Sequence, residues 1–576
     1  MLTLGTFAKK YAKPLWLWYV IGSIFLAGTN LITLKIPQFA KDIVNGLNLE
    51  NSNIARLESL AIGIVLLGLA QILCRSLSRI LIFWPGRQLE ATAKKDLFAR
   101  AISLPQSVLE KFGLGDLISR LSNDLGQVRV FFAFAALQIL NLIFLLSFTV
   151  VQMLSVHVLL TVLCLFPIAL MLVTSRYLMP ILAKYSRLNQ EAVGHLTNIV
   201  TEAFSHVHVI QSNNAEAGFL QKTGVENDDV YNTNMKLVTF RTFFFPLLTS
   251  LTSVAQVCVL GYGGYLTFSG AISIGDLLAF NIYIGYLAFP MTSLGIVMSI
   301  YQRSKTAVSR ISPITEEEPE KTHPRGELKT IKKDILIEIQ DLSFTHRDSP
   351  QPALKGIHLQ IAAGEKIGLC GPVGSGKSTL FNLITRIYDP PANTLFLKGE
   401  DVRTVSPEKL RQTIGYALQR AQLFSSEITE NLSFGLEKEL TINQLKHATD
   451  QAQVSSDIEA LPLSWQTQIG EKGVRLSGGQ KQRLALARLF LRDYELLLLD
   501  DVLSAVDNNT EAAIVASLSA TNTAAFISSH RSSVLKACDR VLFMKDGTIV
   551  DEGSYADLAQ KYPEIQEKEP NDSPIE

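Results

Sequence analysis

The chain has 576 residues, 47% of them hydrophobic, with a mean hydropathy of +0.22 and a formal net charge of zero. It is too apolar for an ordinary soluble enzyme of this size, which points to a membrane region joined to a soluble one. Zero net charge leaves no electrostatic footprint for nucleic acid, whose binding needs clustered bases, so no nucleic acid partner is expected. The five cysteines, Cys74, Cys164, Cys258, Cys370 and Cys538, are far apart and form no CxxC pair, so they suggest neither a zinc knuckle nor a disulfide framework.

Six stretches lack charged side chains: 15–34, 59–74, 130–156, 158–175, 242–269 and 277–302. Most reach the roughly 20 residues that a helix needs to cross a bilayer, so a lipid bilayer is an expected partner. The first begins after Lys9, Lys10 and Lys13 and lacks a small-residue cleavage site, so it reads as a retained transmembrane helix. The second continues past Arg75 and Arg79, which lie four apart and share a helix face. They read as snorkelling toward the inner headgroups, with lining of the bundle interior as the alternative. The connections around 87–120 and 176–241 are rich in Lys and Arg, which predicts that both are cytoplasmic. The expected location is therefore the cytoplasmic (inner) membrane, multi-pass, with both termini inside. Phe280, Tyr283, Tyr286 and Phe289 recur at three-residue spacing in the sixth stretch and read as packing. Asn30, Gln71, Gln138, Asn141, Gln152 and Asn281 add uncharged polarity. A small amphipathic substrate, drug or lipid, is the expectation, with peptides and thiols open.

The expected organisation is a membrane domain at 1–311, a charged linker at 312–334, a soluble α/β domain at 335–562 and a disordered tail at 563–576. In the soluble part, GPVGSGKST follows the apolar run KIGLC and precedes the helical-looking LFNLITRIY. That is the strand, loop and helix context of GxxxxGK[ST]. Gly371, Gly374, Ser375 and Gly376 let backbone amides curl around phosphate, Lys377 reaches its oxygens, and Ser378, beside Thr379, can ligate Mg²⁺. The cofactors expected are ATP and Mg²⁺. LLLLD, 496–500, reads as a buried parallel strand that ends in Asp500, a second magnesium ligand. LSGGQ supplies Ser477, Gly478, Gly479 and Gln480 at a helix start, where amides can approach a phosphate.

The ordered set GPVGSGKST, Gln419 in IGYALQRAQLF, TQIGEKG, LSGGQ, LLLLD, SAVD and His530 in ISSHR resembles the ATP-binding cassette superfamily. From residue 1 to about 565 the chain resembles an exporter-type half-transporter. The implied fold is a six-helix membrane α-helical bundle followed by an α/β P-loop ATPase domain. The resemblance implies that Gln419 ligates Mg²⁺ and couples to the membrane domain, and that His530 contacts the γ-phosphate and orients water. It also implies pairing with a second half-transporter, because each ATP is held by one chain's phosphate loop and the other's LSGGQ. Residues 104–124 and 202–216 resemble the two coupling regions, and Glu471 stands at the acidic position of the exporter loop.

Two positions depart from the family pattern. Asp501 stands where a glutamate usually polarises the hydrolytic water, and its carboxylate is one methylene, about 1.5 Å, shorter. His346 stands where a tyrosine commonly stacks on adenine. Asp501 resembles the weak-site subunit of heterodimeric exporters, so a heterodimer is favoured over a slow homodimer. The alternative function is a regulatory nucleotide sensor that occludes ATP without pumping.

Overall fold

The computed structural model describes residues 3–47, 54–317, 334–347, 349–436, 438, 440–470, 474 and 476–565. They divide into two compact units: Met1–Ile102 with Phe112–Glu317, and Ser103–Lys111 with Glu318–Glu576.

The first unit is helical. Its long elements are α1 (Trp16–Leu47), α2 (Ile54–Ile102), α3 (Leu114–Val156), α4 (Val158–Ser205), α5 (Glu216–Phe268) and α6 (Ile274–Glu316). All six charge-free stretches fall within these helices except for the end residues Leu15 and Ser269. Among the described residues, five helices are long and apolar enough to cross a membrane, and the apolar start of α6 adds Ile274–Leu287. The 48 residues of α4 would extend about 72 Å, far more than the roughly 30 Å of hydrocarbon, so much of each helix projects beyond it.

Local chemistry sets the helix ends. Only His157 separates α3 from α4, and its Nδ1 accepts from Leu160 N at 3.2 Å, which caps α4. Ser273 and Asp276 form a capping box at the start of α6. Lys41 of α1 pairs with Asp276 at 2.6 Å, which ties the end of α1 to the start of α6. Farther along, Arg310 of α6 pairs with Asp116 at 2.5 Å and Asp124 at 3.2 Å, both on α3.

Between helices, small residues and amides do the joining, as expected where lipid removes any hydrophobic drive for association. Asn30 donates to Asn141 at 3.1 Å, Gln38 to Gln152 at 2.7 Å and Gln71 to Thr33 at 2.7 Å. Phe280 and Tyr283 are buried in the helical core with Phe244 and Met171, and Tyr286 packs at its edge. The side chain of Phe289 lies outside the described residues.

Two expected boundaries shift. Helix α6 runs to Glu316, past the start of the expected linker at 312, because Ile311 and Ile314 are both fully buried and continue its packed face. The rest of that linker lies outside the described residues, apart from Glu317 and Asp334. The soluble unit continues to Ile565, three residues into the expected tail, because Ile565 buries against Cys370, Val541 and Phe543. The tail beyond it is outside the described residues.

The second unit holds two sheets. The smaller has strand order β2-β1-β4-β5 and is antiparallel, with β1 (Ile335–Phe344), β2 (Leu354–Ala362), β4 (Leu395–Leu397) and β5 (Glu400–Asp401). The larger has order β10-β9-β3-β8-β7-β6: β3 (Lys366–Cys370), β6 (Ile414–Ala417), β7 (Leu496–Asp500), β8 (Ala524–Ser528), β9 (Arg540–Lys545) and β10 (Thr548–Gly553). It is parallel except for the β9–β10 pair. Every residue of β3, β7 and β8 is buried, as continuous apolar runs in a doubly covered parallel sheet require.

Helices α1 and α2 meet at glycine. A Cβ on Gly22 would lie 2.7 Å from Ile82 Cγ1, closer than atoms can pack. Gly22→Val is expected to cost about 1–3 kcal/mol by overpacking, read as a lower melting temperature of the detergent-solubilised chain. An unchanged melting temperature would show that this contact gives way freely.

Candidate nucleotide site

The phosphate loop leaves β3 and enters α7 (Lys377–Ile384). Gly371 has φ +149° and a Cβ there would fall 2.0 Å from Met544 O; Gly376, which caps α7, has φ +106°. Both positions require glycine, one for space and one for backbone conformation. Lys377 Nζ donates to Gly371 O at 2.7 Å and Pro372 O at 3.0 Å, so it curls back over its own loop. Ser375 is buried and its Oγ has no hydrogen-bond partner among the described residues, a polar atom held inside the cradle.

Asp500 closes β7, 4% exposed. Burial pushes its carboxyl above the usual carboxylate range, against the opposing pull of the Ser378 hydroxyl and Lys377. Burial likewise pushes Lys377 down, against Asp500 and Asp501. Both charges are costly where they sit, and triphosphate and a cation would offset them. The donors expected around the metal are the Ser378 hydroxyl, the Asp500 carboxylate and the Gln419 amide oxygen. These are hard oxygens that suit Mg²⁺, which takes few protein ligands and completes its shell with phosphate and water. Among the described residues, no three His, Cys, Asp or Glu side chains are placed to hold a metal ion by themselves.

Asp501 follows with φ +49°, a left-handed conformation that aspartate tolerates better than most residues. Its N–H donates to Ser528 O at 3.0 Å, and Ser504 Oγ donates to its carbonyl at 2.8 Å. The half-buried side chain interacts electrostatically with Lys377 and His530. Burial and Lys377 push His530 below its ordinary range, while Asp501 pulls it back up. The net shift favours the neutral imidazole. Asp500, Asp501, His530, Lys377 and Ser378 thus form one electrostatic cluster. Gln419 is exposed, just beyond the end of β6.

The helix α8 (Gly478–Phe490) starts with a capping box: Ser477 Oγ accepts from Gln480 N at 3.2 Å, and Gln480 Oε1 accepts from Ser477 N at 2.9 Å. Gly479 lies against the SAVD segment, where a Cβ would be 2.6 Å from Ala505 O. Asp507 caps α9 (Asn508–Ser519), accepting from Thr510 N at 3.1 Å.

His346 Nε2 lies 3.3 Å from Thr379 Oγ1, and its ring stands edge-on to Phe344 and Tyr388, at 5.1 and 5.3 Å. Tyr388 lies outside every sequence motif, at the end of LFNLITRIY, and Glu110 falls within the 104–124 coupling stretch without being singled out there. The Tyr388 hydroxyl donates to Glu110 Oε1 at 2.8 Å, and Glu110 follows the short helix Gln106–Leu109 that groups with this unit. No local motif marks such a contact between residues 278 apart. Arg531 was also missed: it donates to Ser504 O at 3.0 Å and pairs with buried Glu511, which links the histidine segment to SAVD. A groove of about 760 Å³ is lined by Ala421, Gln422, Leu423, Ile469, Val474 and Lys481 among others. Glu471 lies outside the described residues.

Residues 19–291 match the family model described as ABC transporter transmembrane region, and residues 354–504 match the one described as ABC transporter. The chain fuses an ABC transporter transmembrane region to an ABC transporter ATPase domain. Among curated relatives, it is 29% identical to the probable multidrug resistance ABC transporter ATP-binding/permease protein YheI of Bacillus subtilis, over 96% of this chain and 94% of that one. It is 27% identical to the multidrug resistance-like ATP-binding protein MdlA of Escherichia coli, over 96% and 93%. A solved bacterial Atm1-family ABC exporter with ATP bound shares the fold, with TM-score 0.78 and 20% identity over 95% of this chain and 98% of that chain.

In this ABC ATPase domain His346 offers the ring expected to stack on adenine. His346→Ala is expected to weaken ATP binding by about 1–2 kcal/mol, near tenfold, and His346→Tyr to strengthen it, measured with a fluorescent ATP analogue on the purified chain. No change in either variant would move the adenine contact to another ring such as Tyr388.

Proposed function

We propose that this chain is one half of an ATP-driven multidrug-type exporter of hydrophobic or amphipathic substrates. It pairs with a different half-transporter in the cytoplasmic membrane, with both termini and the ATPase domain inside. The names of its curated relatives support the multidrug reading.

Asp501 is the observation that carries the asymmetry. A general base must come within about 2.6–3.2 Å of the proton it takes, and the missing methylene draws this carboxylate back by about half of that. The left-handed backbone at Asp501 suits aspartate, so the shorter side chain sits in a conformation that fits it. The phosphate loop, Asp500 and LSGGQ are complete, so this half binds ATP and lends Ser477, Gly478, Gly479 and Gln480 to the partner's ATP. Hydrolysis then falls mainly to that second site.

In the assembled transporter, Asp501→Asn is expected to change steady-state ATPase by less than about threefold. Gly479→Ala, which drives a Cβ into Ala505 O, is expected to lower it by about tenfold or more. A hundredfold loss in Asp501→Asn would make Asp501 the working base. Accumulation of an apolar dye in inverted vesicles tests export itself, and its absence across a broad panel of substrates would favour the sensor.

A further inference from the structure

Helix α2 carries no acid between Glu58 and Glu90, yet it holds Arg75 and Arg79. Arg75 lies about 25 Å along the helix from Glu58 and about 18 Å before Arg87, the next charge beyond Arg79. The residues between Arg79 and Arg87 are again apolar, ILIFWPG. Trp84, in contact with Trp18 of α1 at 4.8 Å between ring centroids, marks the nearer interface about 14 Å beyond Arg75 along the helix, and an extended arginine carries its guanidinium only roughly 7 Å from its Cα, so Arg75 does not reach it by snorkelling. A lone guanidinium at the centre of hydrocarbon costs about 2.5–3.5 kcal/mol even on the lenient scales, and two adjacent ones cost more.

The helix also shows where they point. Leu69, Leu73, Leu77, Ile80 and Trp84 recur at three- and four-residue spacing as an exposed apolar stripe that suits lipid. Gln71 and the fully buried Ser78 mark the face packed toward α1. Arg75, four after Gln71 and three before Ser78, sits at the edge of that packed face, between it and exposed Ile72 one turn before. Its charge acts on Tyr286 of α6, and Arg79 lies one turn farther along. Both side chains are exposed in the single chain. The other five apolar stretches carry no acid, so no carboxylate of this chain within them neutralises the pair.

We propose that Arg75 and Arg79 receive the anionic group of the transported molecule, which makes the substrate an amphipathic anion with a carboxylate, sulfonate or phosphate on an apolar body. This rests on the export reading above. Paired guanidinium forks supply charge-assisted bonds to such a group, and the apolar walls of α2 and α6 take its tail.

The test is binding without ATP, to the full chain with its partner half in phosphatidylcholine nanodiscs, of a dansyl-labelled fatty acid and its methyl ester. The native protein is expected to prefer the acid by about tenfold or more, R75Q/R79Q by less than about twofold, and R75K/R79K to keep most of the preference. Unchanged ATP binding by R75Q/R79Q shows that it folds. Equal binding of acid and ester by the native protein, as a neutralising acid from the partner would cause, overturns the proposal, as does an undiminished preference in R75Q/R79Q. Displacement of the acid by added phosphatidylglycerol would identify a lipid headgroup as the anion, and its failure to displace would identify a soluble amphipath; either upholds the site. ATP-driven uptake is scored separately, so loss of transport with the anion preference intact would sink the export reading alone.

Discussion

A carboxylate and an ammonium kept partly out of water at the ends of adjacent elements are the constraint on which the ATPase domain depends. Asp500 is buried at the end of a strand with no polar residue before it, and Lys377 folds over backbone carbonyls one loop away. Neither charge is well solvated, and burial shifts each toward its neutral form. Such a pair is a poor source of stability and a good receptor for a ligand that brings the complementary charges with it. The buried strands β3, β7 and β8 serve to hold these two groups where triphosphate and Mg²⁺ would meet them. Asp501, His530 and Ser378 are placed by the same framework.

The membrane unit solves a different problem, since lipid gives its helices no hydrophobic reason to associate. Its contacts are accordingly specific: Gly22 against Ile82, paired amides across helices, and charge pairs at both ends of α6. The Lys41–Asp276 and Arg310–Asp116 pairs tie α6 to α1 near one end and to α3 near the other. Helix α6 is thus gripped at both ends while its apolar middle packs through Phe280 and Tyr283.

Much of this was legible in the sequence because its signals are local. Charge-free runs of bilayer length give the helices, and the phosphate loop needs glycine at positions where the backbone leaves ordinary φ. The end of α6 is hidden in the sequence because charge and proline begin at 312, while Ile311 and Ile314 continue the buried face. Ser477 and Gln480 carry the S-x-x-Q pattern of a capping box, a local signal that the glycines between them obscure. Tyr388 with Glu110 and Arg531 with Ser504 were not legible, because each joins residues that only the folded chain brings together.

The capping box has a chemical consequence for the signature segment. Ser477 Oγ accepts the Gln480 amide through a lone pair, which leaves its own proton uncommitted. The hydroxyl at the start of α8 has no acceptor among the described residues, so its proton can turn toward an oxyanion approaching the helix N-terminus. Helix capping therefore uses only a lone pair of this serine, and the phosphate contact proposed for it would use the proton.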